Sequence, residues 1–254
     1  MGDCVNVVWK NGFGNQLFQY SYGRILSEQM KCPLTYSGTV DRWEGTSLVD
    51  MGFLTEDDIL KYTGENIKVN IDYNKTQAVE LENPHNYKPY LDDIRSWFPK
   101  VEKTNTDDLL VHVRVGDNGP NIYTPFSWYK KAIEDNNIEF DTMYIVTDTP
   151  DDRTVNELKT NYNSKLVSEV NVTTISDRER YKNNVLEDFN FMRKFDRVLL
   201  SNSTFPWWAA LLSNASQVWF NKEWQPNHYG GMIRLGETDY DNWNGISPFS
   251  LKEN

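Results

Sequence analysis

From Leu109 to Phe220, short, largely apolar runs alternate with segments of helical periodicity, and that rhythm admits few folds. The runs are Leu109–Val115 (LLVHVRV), Met143–Thr147 (MYIVT), Lys165–Val167, Val198–Ser201 and Val218–Phe220. Several are apolar at consecutive residues, which suits strands buried on both faces and not the one-sided strands of an antiparallel sheet. Between them Pro125–Glu134, Asp151–Asn161, Asn184–Phe195 and Phe205–Asn214 read as helices. Strand–helix alternation of this kind implies a parallel sheet with helices on both sides. In the third helix Val185, Phe189, Met192 and Phe195 fall close to helical spacing, so one face is buried and Asp188 sits beside it.

The N-terminal part opens in the same way. Cys4–Trp9 reads as a strand, KNGFG as a turn, and Asn15–Met30 as a helix with an apolar stripe at Leu17, Tyr20, Ile25 and Leu26. From Gly38 to Lys103 the pattern weakens to two short strand candidates, Ile67–Ile71 and Ala78–Leu81, and a Pro/Tyr-rich piece, NPHNYKPYLDDIRSWF. The polar stretch VEKTNTDD reads as a connector, which divides the chain into residues 1–105 and 106–254, with the tail returning to the first unit. The expected fold class is α/β: two Rossmann-like doubly wound domains facing a cleft, with ligands beyond the C-terminal ends of the strands.

Charge narrows the function. With 26 Lys and Arg against 37 Asp and Glu the net charge is −11, so no nucleic-acid partner is expected, and any bound phosphate must be held by a few aimed donors. Cys4 and Cys32 match neither a metal knuckle nor a redox pair. No run approaches the roughly 20 apolar residues of a membrane span, so a soluble, cytoplasmic protein with no membrane span is expected. The sequons at Asn74, Asn171, Asn202 and Asn214 read as chance occurrences. Rings make up 14% of the residues. Trp207 and Trp208 suit helix packing, and those from Tyr87 to Trp97 are candidates for lining a sugar site.

Three motifs carry candidate chemistry. Gly12-Phe13-Gly14-Asn15-Gln16 joins a strand to a helix start, which is either a tight turn with an Asn cap or a binding loop; the third glycine of a dinucleotide fingerprint is replaced by Leu17. In Val111–Asp117 strand alternation places His112 and Arg114 on one face near the strand's C-terminal end. Arg114 there either grips a phosphate with its forked donors or closes an ion pair with Asp117. Ser201–Trp208 ends a strand in hydroxyl and amide side chains and starts a helix with a proline, so Ser203 and Thr204 either cap the helix or donate to a diphosphate. Asp239-Tyr240-Asp241 spells D-x-D within a polar stretch and reads as loop, and His85, His112 and His228 show no zinc spacing.

GFGNQLFQYSYG, VHVRVGDN, FSWYKKAI, MYIVTD and SNSTFPWWAALLS together resemble, in order and approximate spacing, the α-1,2-fucosyltransferase family (glycosyltransferase family 11-like), in its soluble bacterial or viral form. The resemblance spans residues from about 5 to 220. It implies a GT-B fold of two Rossmann-like domains and an inverting, metal-independent transfer of L-fucose from GDP-fucose to an acceptor glycan hydroxyl, with no cofactor and with nucleotide sugar and glycan as partners. A viral member would act in the host cytoplasm. By the same resemblance Arg114 grips the donor diphosphate, His112 and Asp148 line the nucleotide pocket, Asp188 reads the guanine edge, and Ser203, Thr204 and Phe205 cradle the diphosphate. Gly14, Asn15 and Gln16 form the opposing loop towards sugar and acceptor, in the N-terminal, acceptor-side domain.

The catalytic candidates are Arg114, Asn15 and Asp117. Asp117 is either an acceptor base or a residue orienting Arg114. The sequence departs from the family's H-x-R-R-G-D-Y pattern at Val115 and Asn118, so the resemblance says less about acceptor and linkage than about donor. Two other readings fit the residues: a GT-B enzyme using a different nucleotide sugar, and a non-catalytic glycan-binding protein on the same frame.

Overall fold

A computed structural model describes residues 3–38, 46–64, 66–73, 80–104, 106–115, 124–167, 177–222 and 234–247, with backbone alone for 177–184 and 234. The described strands form two sheets, both wholly parallel.

The first sheet comprises β1 (Asp3–Val8), β2 (Leu34–Ser37), β3 (Leu60–Lys61) and β4 (Asn66–Asp72), in the order β3-β2-β1-β4. Helix α1 (Phe13–Met30) connects β1 to β2 and ends at Lys31, which takes a left-handed φ of 52°. Gly23 lets α1 lie close to this sheet: a Cβ there would meet Val7 at 3.0 Å and Leu34 at 3.1 Å. Elsewhere on these strands lies a buried polar ladder in which Asn6 donates to Ser37 and Asn70, both at 2.9 Å, and Thr35 donates to Asn6 at 3.2 Å.

Helix α2 (Leu91–Ser96) follows two short turns at Pro84–Asn86 and Lys88–Tyr90. The second sheet then runs through β5 (Leu109–Val113), α3 (Phe126–Asp135), β6 (Met143–Thr147), α4 (Arg153–Asn161), β7 (Ser164–Leu166), α5 (Asp177–Met192), β8 (Arg197–Leu200), α6 (Thr204–Ser213), β9 (Gln217–Asn221) and β10 (Trp243–Ile246). Its order, β7-β6-β5-β8-β9-β10, is the 3-2-1-4-5-6 order of a doubly wound sheet, which reverses direction between β5 and β8. Leu109, Val111 and Val113 of β5 pack under Trp128, Tyr129 and Ala132 of α3 and Val155 and Leu158 of α4. Leu110 faces the other way, into the core that holds Phe189 and Met192 of α5 and Trp207 and Trp208 of α6. All five residues of β5 are buried, which is why the strand reads as an apolar run broken only by His112.

The second core does not stop at the sheet. Phe18 of α1 packs on Trp207 and Trp208 at 5.1 and 4.9 Å, and Phe13 on Phe189 at 4.7 Å. One apolar core therefore joins the two sheets through α1, α5 and α6. The ring surplus belongs largely to this junction. Tyr87, a candidate for a sugar site by sequence, is fully buried against Trp208 at 5.6 Å and donates to Leu81 O at 2.5 Å. Trp97 lies under the Arg24 guanidinium, 4.6 Å from its ring centre.

Most element bounds agree with the sequence reading to within two residues. The larger differences have a common cause, a weak apolar signal. Helix α5 starts at Asp177, seven residues earlier than expected, through the polar turns DRERYKNN. The stretch around Asp239-Tyr240-Asp241, read as a polar tail, leads into the sixth strand, β10, of which Trp243 alone is buried. Strands β2 and β3 gave no clear pattern; both residues of β3 are exposed. Of the expected strand Ala78–Leu81, residues 78 and 79 lie outside the described residues, and Glu80 and Leu81 form a helical turn. The segment before β10 rests on the first half of the chain: Tyr240 donates to Pro84 O at 2.8 Å and Lys88 to the Asp239 carboxylate at 2.8 Å. No helix among the described residues is long and apolar enough to cross a membrane.

Candidate functional site

The second sheet changes direction between β5 and β8, and the chain ends there carry the polar side chains. His112 shares strand parity with Leu110, so it points to the α5/α6 side, where its ring lies 6.3 Å from that of Phe205. Its Nδ1 is 2.7 Å from Ser201 Oγ, just past the end of the neighbouring β8, and its carbonyl accepts from Tyr129 at 3.0 Å. Burial, reinforced by the Arg114 charge, pushes the imidazole down to about 3, so the ring is neutral at physiological pH. Arg114, two residues on, donates through Nη1 to Asp148 Oδ2 at 2.9 Å, and both side chains remain partly open to solvent. Asp148 follows β6, so the guanidinium is steered from the adjacent strand. Asp117 lies outside the described residues.

Two helix starts meet close to His112, whose ring lies 6.3 Å from that of Phe205. Ser203 heads α6 with an extended backbone (φ −148°) and no side-chain cap, and Gly12 heads α1 likewise (φ −74°, ψ 176°). Neither first turn carries an acidic residue. Gly14 abuts Thr204 and Phe205 so closely that a Cβ on it would fall 2.6 Å from Phe205 N and Thr204 C. Thr204 Oγ1 donates to Asn15 Oδ1 at 3.0 Å, closing the contact between the halves. Two positive dipole ends, with no acidic residue in either first turn, therefore lie against each other. That point receives anions well. Next to it Asn202, 6% exposed, holds a side-chain oxygen that meets no donor among the described residues.

Gln16 has a different task from the one expected of it. It is 1% exposed; its Nε2 donates to Asn11 O and Thr46 O at 3.0 and 3.2 Å, and its Oε1 accepts from Leu48 N at 2.9 Å. An amide with all these bonds made internally pins the 46–48 loop and does not face a ligand. Asp188 is half-buried on α5, one residue before Phe189, whose ring contacts Phe13 and Phe205. Burial, with the like charge of Glu187, lifts its carboxyl to about 6. No ion pair reaches it among the described residues.

The first sheet has its own polar group at the equivalent place, beyond β1 and β4. Lys10 pairs with Asp72 at 2.7 Å. Tyr73, the next residue after β4, donates its hydroxyl to Glu82 and is also hydrogen-bonded to the side chain of Asn15. Glu82 is 2% exposed, and burial raises its carboxyl to about 7 against the opposing effect of the tyrosine hydrogen bond. A row of side chains, Glu82, Tyr73, Asn15 and Thr204, thus runs from the interior of the first half to the helix start of the second.

The structure brings Gly14, Asn15, Thr204 and Phe205 into direct contact, joins His112 to Ser201, and joins Arg114 to Asp148. Sequence reasoning passed over Tyr73 and Glu82. The position of Tyr73, directly after a strand, was a usable signal; nothing in the sequence around Glu82 marks a buried carboxylate. No protein-family model matches this chain, and no curated protein matches it.

Proposed function

We propose that the protein is an inverting GT-B glycosyltransferase that moves L-fucose from GDP-fucose to a hydroxyl of an acceptor glycan, in α-1,2 linkage. The family assignment rests on the motif resemblance. The observation that carries the chemistry is the contact between two uncapped helix N-termini, with Phe205 of the second beside His112, two residues before Arg114 in the chain. A nucleotide sugar has the matching features: two phosphates for the guanidinium and the helix ends, and hydroxyl or ring N–H donors for the orphan oxygen of Asn202. A half-buried Asp188, once ionised, suits the donor edge of guanine, because a carboxylate accepts from both the ring N–H and the amino group.

In this reading the bond between the sugar C1 and the β-phosphate breaks with its electron pair leaving on GDP. Arg114 and the Thr204 helix start stabilise the negative charge as it develops. Asp148 holds the arginine in place. His112 is a neutral spacer that fixes the strand end to Ser201 and adds no competing charge.

Thermal shifts with GDP, UDP and dTDP test the donor. A ligand at 100 times its Kd adds about 2.7 kcal/mol of stability, and a non-binder adds none. GDP is expected to stabilise the protein and the other two to do little; a preference for UDP or dTDP transfers the reading to another nucleotide sugar. Arg114→Ala is expected to lower the transfer rate by about 10²–10³-fold. Near-normal transfer by that variant would exclude the proposed role of the arginine.

A further inference from the structure

We propose that Tyr73 is the group that receives the proton of the acceptor hydroxyl and that Glu82 is the buried positioning residue that holds it. The inference rests on the transferase reading. Tyr73 leaves the end of β4, on the first sheet's side of the junction, and its hydroxyl contacts Asn15, which itself accepts from Thr204 at the start of α6. The phenol oxygen is therefore one side chain away from the helix end assigned to the diphosphate, on the side from which an acceptor would approach. Tyr73 is half-buried with its hydroxyl inside the junction, and Glu82 is buried, so a proton taken up at the phenol oxygen passes inward to the carboxylate.

The chemical identity of Glu82 supports this. As a purely structural partner for a tyrosine hydroxyl, a glutamine would accept the same hydrogen bond without a charge to bury. A carboxylate there is costly when ionised, and among the described residues no Lys or Arg acts on it. Among the described residues its titratable partners are Tyr73 from the end of β4 and Tyr87 from the turn after it, and Tyr87 in turn faces Tyr22 of α1, Tyr240 of the segment before β10 and Glu80. Next to this group Lys10 pairs with Asp72 at 2.7 Å. A carboxyl raised towards neutrality by burial is matched to taking up a proton at physiological pH.

The step balances. The acceptor oxygen bonds to C1 while C1 parts from the β-phosphate, whose oxygen keeps the electron pair. The acceptor's proton passes to the Tyr73 oxygen as the proton of Tyr73 passes to Glu82, and the protonated Glu82 returns it to solvent after products leave.

The test is the pH profile of transfer by wild type, Glu82→Gln and Tyr73→Phe, with the GDP thermal shift measured in parallel. Wild-type kcat is expected to rise with pH to a plateau with a midpoint near 7. Both variants should lose about 10²-fold or more in kcat, lose that acid limb, and keep the wild-type GDP shift. Variants that retain wild-type kcat and the acid limb overturn the inference while the transferase reading stands. A wild type that transfers no sugar from any nucleotide sugar overturns that reading and this inference together. Should the variants not fold, the wild-type protein labelled with ¹³C at its glutamate carboxyls decides: one resonance titrating near pH 7 upholds the inference, and titration of every glutamate below about pH 5.5 overturns it.

Discussion

Beyond β5 and β8 the second sheet gathers a guanidinium, a neutral imidazole and an uncapped helix start, whereas beyond β1 and β4 the first sheet gathers a tyrosine, an amide and a carboxylate held near neutrality. The strand order is the same through the first four strands of each, 3-2-1-4. Equal topology thus fixes where polar groups collect, and the residues at the strand ends decide what they do. One end is suited to receive negative charge and the other to hold a proton. The two meet at a single hydrogen bond, Thr204 to Asn15.

If the two ends have separate tasks, the largest effects on them should separate as well. Arg114→Ala should remove both the GDP thermal shift and most of the transfer rate, whereas Glu82→Gln should remove the rate and leave the shift. Loss of nucleotide binding in the Glu82 variant would mean that the two ends work as one binding site and not as two.

Stability should break in opposite pH directions at the two ends. His112 has a folded-state value depressed from 6.5 to about 3, so its contribution is present above pH 6.5 and is lost as the pH falls towards 3. Glu82 has a folded-state value raised from 4.5 to about 7, so its contribution is present below pH 4.5 and is lost as the pH rises through 7. A shift of that size corresponds to on the order of 3 kcal/mol. Glu82→Gln should therefore melt several degrees above wild type at pH 8 and close to it at pH 4. His112→Asn should flatten the acid side, removing on the order of 1 kcal/mol per pH unit between pH 6 and 4. Melting curves across pH 4–8 check both, and a Glu82→Gln variant with no gain at pH 8 would show that its carboxyl is not charged at that cost.

The contact between the two helix starts can be attacked directly. Gly14→Ala places a methyl 2.6 Å from the backbone of Thr204 and Phe205, where only a shift of one helix against the other can make room. Overpacking of this kind typically costs about 1–3 kcal/mol. A fall in Tm together with a weaker GDP shift is expected, because the displaced helix start is the one assigned to the diphosphate. An unchanged GDP shift in a destabilised variant would remove the α6 start from the donor site.

How much of this was legible in the sequence differs between the halves for a physical reason. Strands covered on both faces are largely apolar, so β5 and β6 carry a legible pattern, with His112 the one polar residue of β5. Strand β4 has exposed residues at Asn66, Ile67 and Lys68, and β10 buries only Trp243, so neither carries a full pattern. Arg114, His112 and Thr204 stand out in the sequence because strand ends and helix starts collect ligand-binding groups. Gln16 was harder to read because an amide suits a ligand and a loop backbone equally, and the sequence does not say that it bonds Asn11, Thr46 and Leu48. Glu82 was passed over because the burial of a carboxylate is a tertiary fact, made by Tyr73 and the rings around it.

The smallest expected effect lies at the hinge of the comparison. Thr204→Val keeps the shape of the side chain and removes the hydroxyl that donates to Asn15. One neutral hydrogen bond contributes about 0.5–1.5 kcal/mol, so the Tm should fall by a few degrees at most. The Asn15 amide, freed at one end, would hold Tyr73 less firmly, while Phe205 N–H and Arg114 remain in place for the diphosphate. The expected result is a modest fall in kcat with an unchanged GDP shift and an acid limb still near pH 7, in contrast to the loss of that limb in Glu82→Gln. A Thr204 variant that lost GDP binding instead would show that its hydroxyl serves the donor, and that the link between the two ends runs through the nucleotide and not through Asn15.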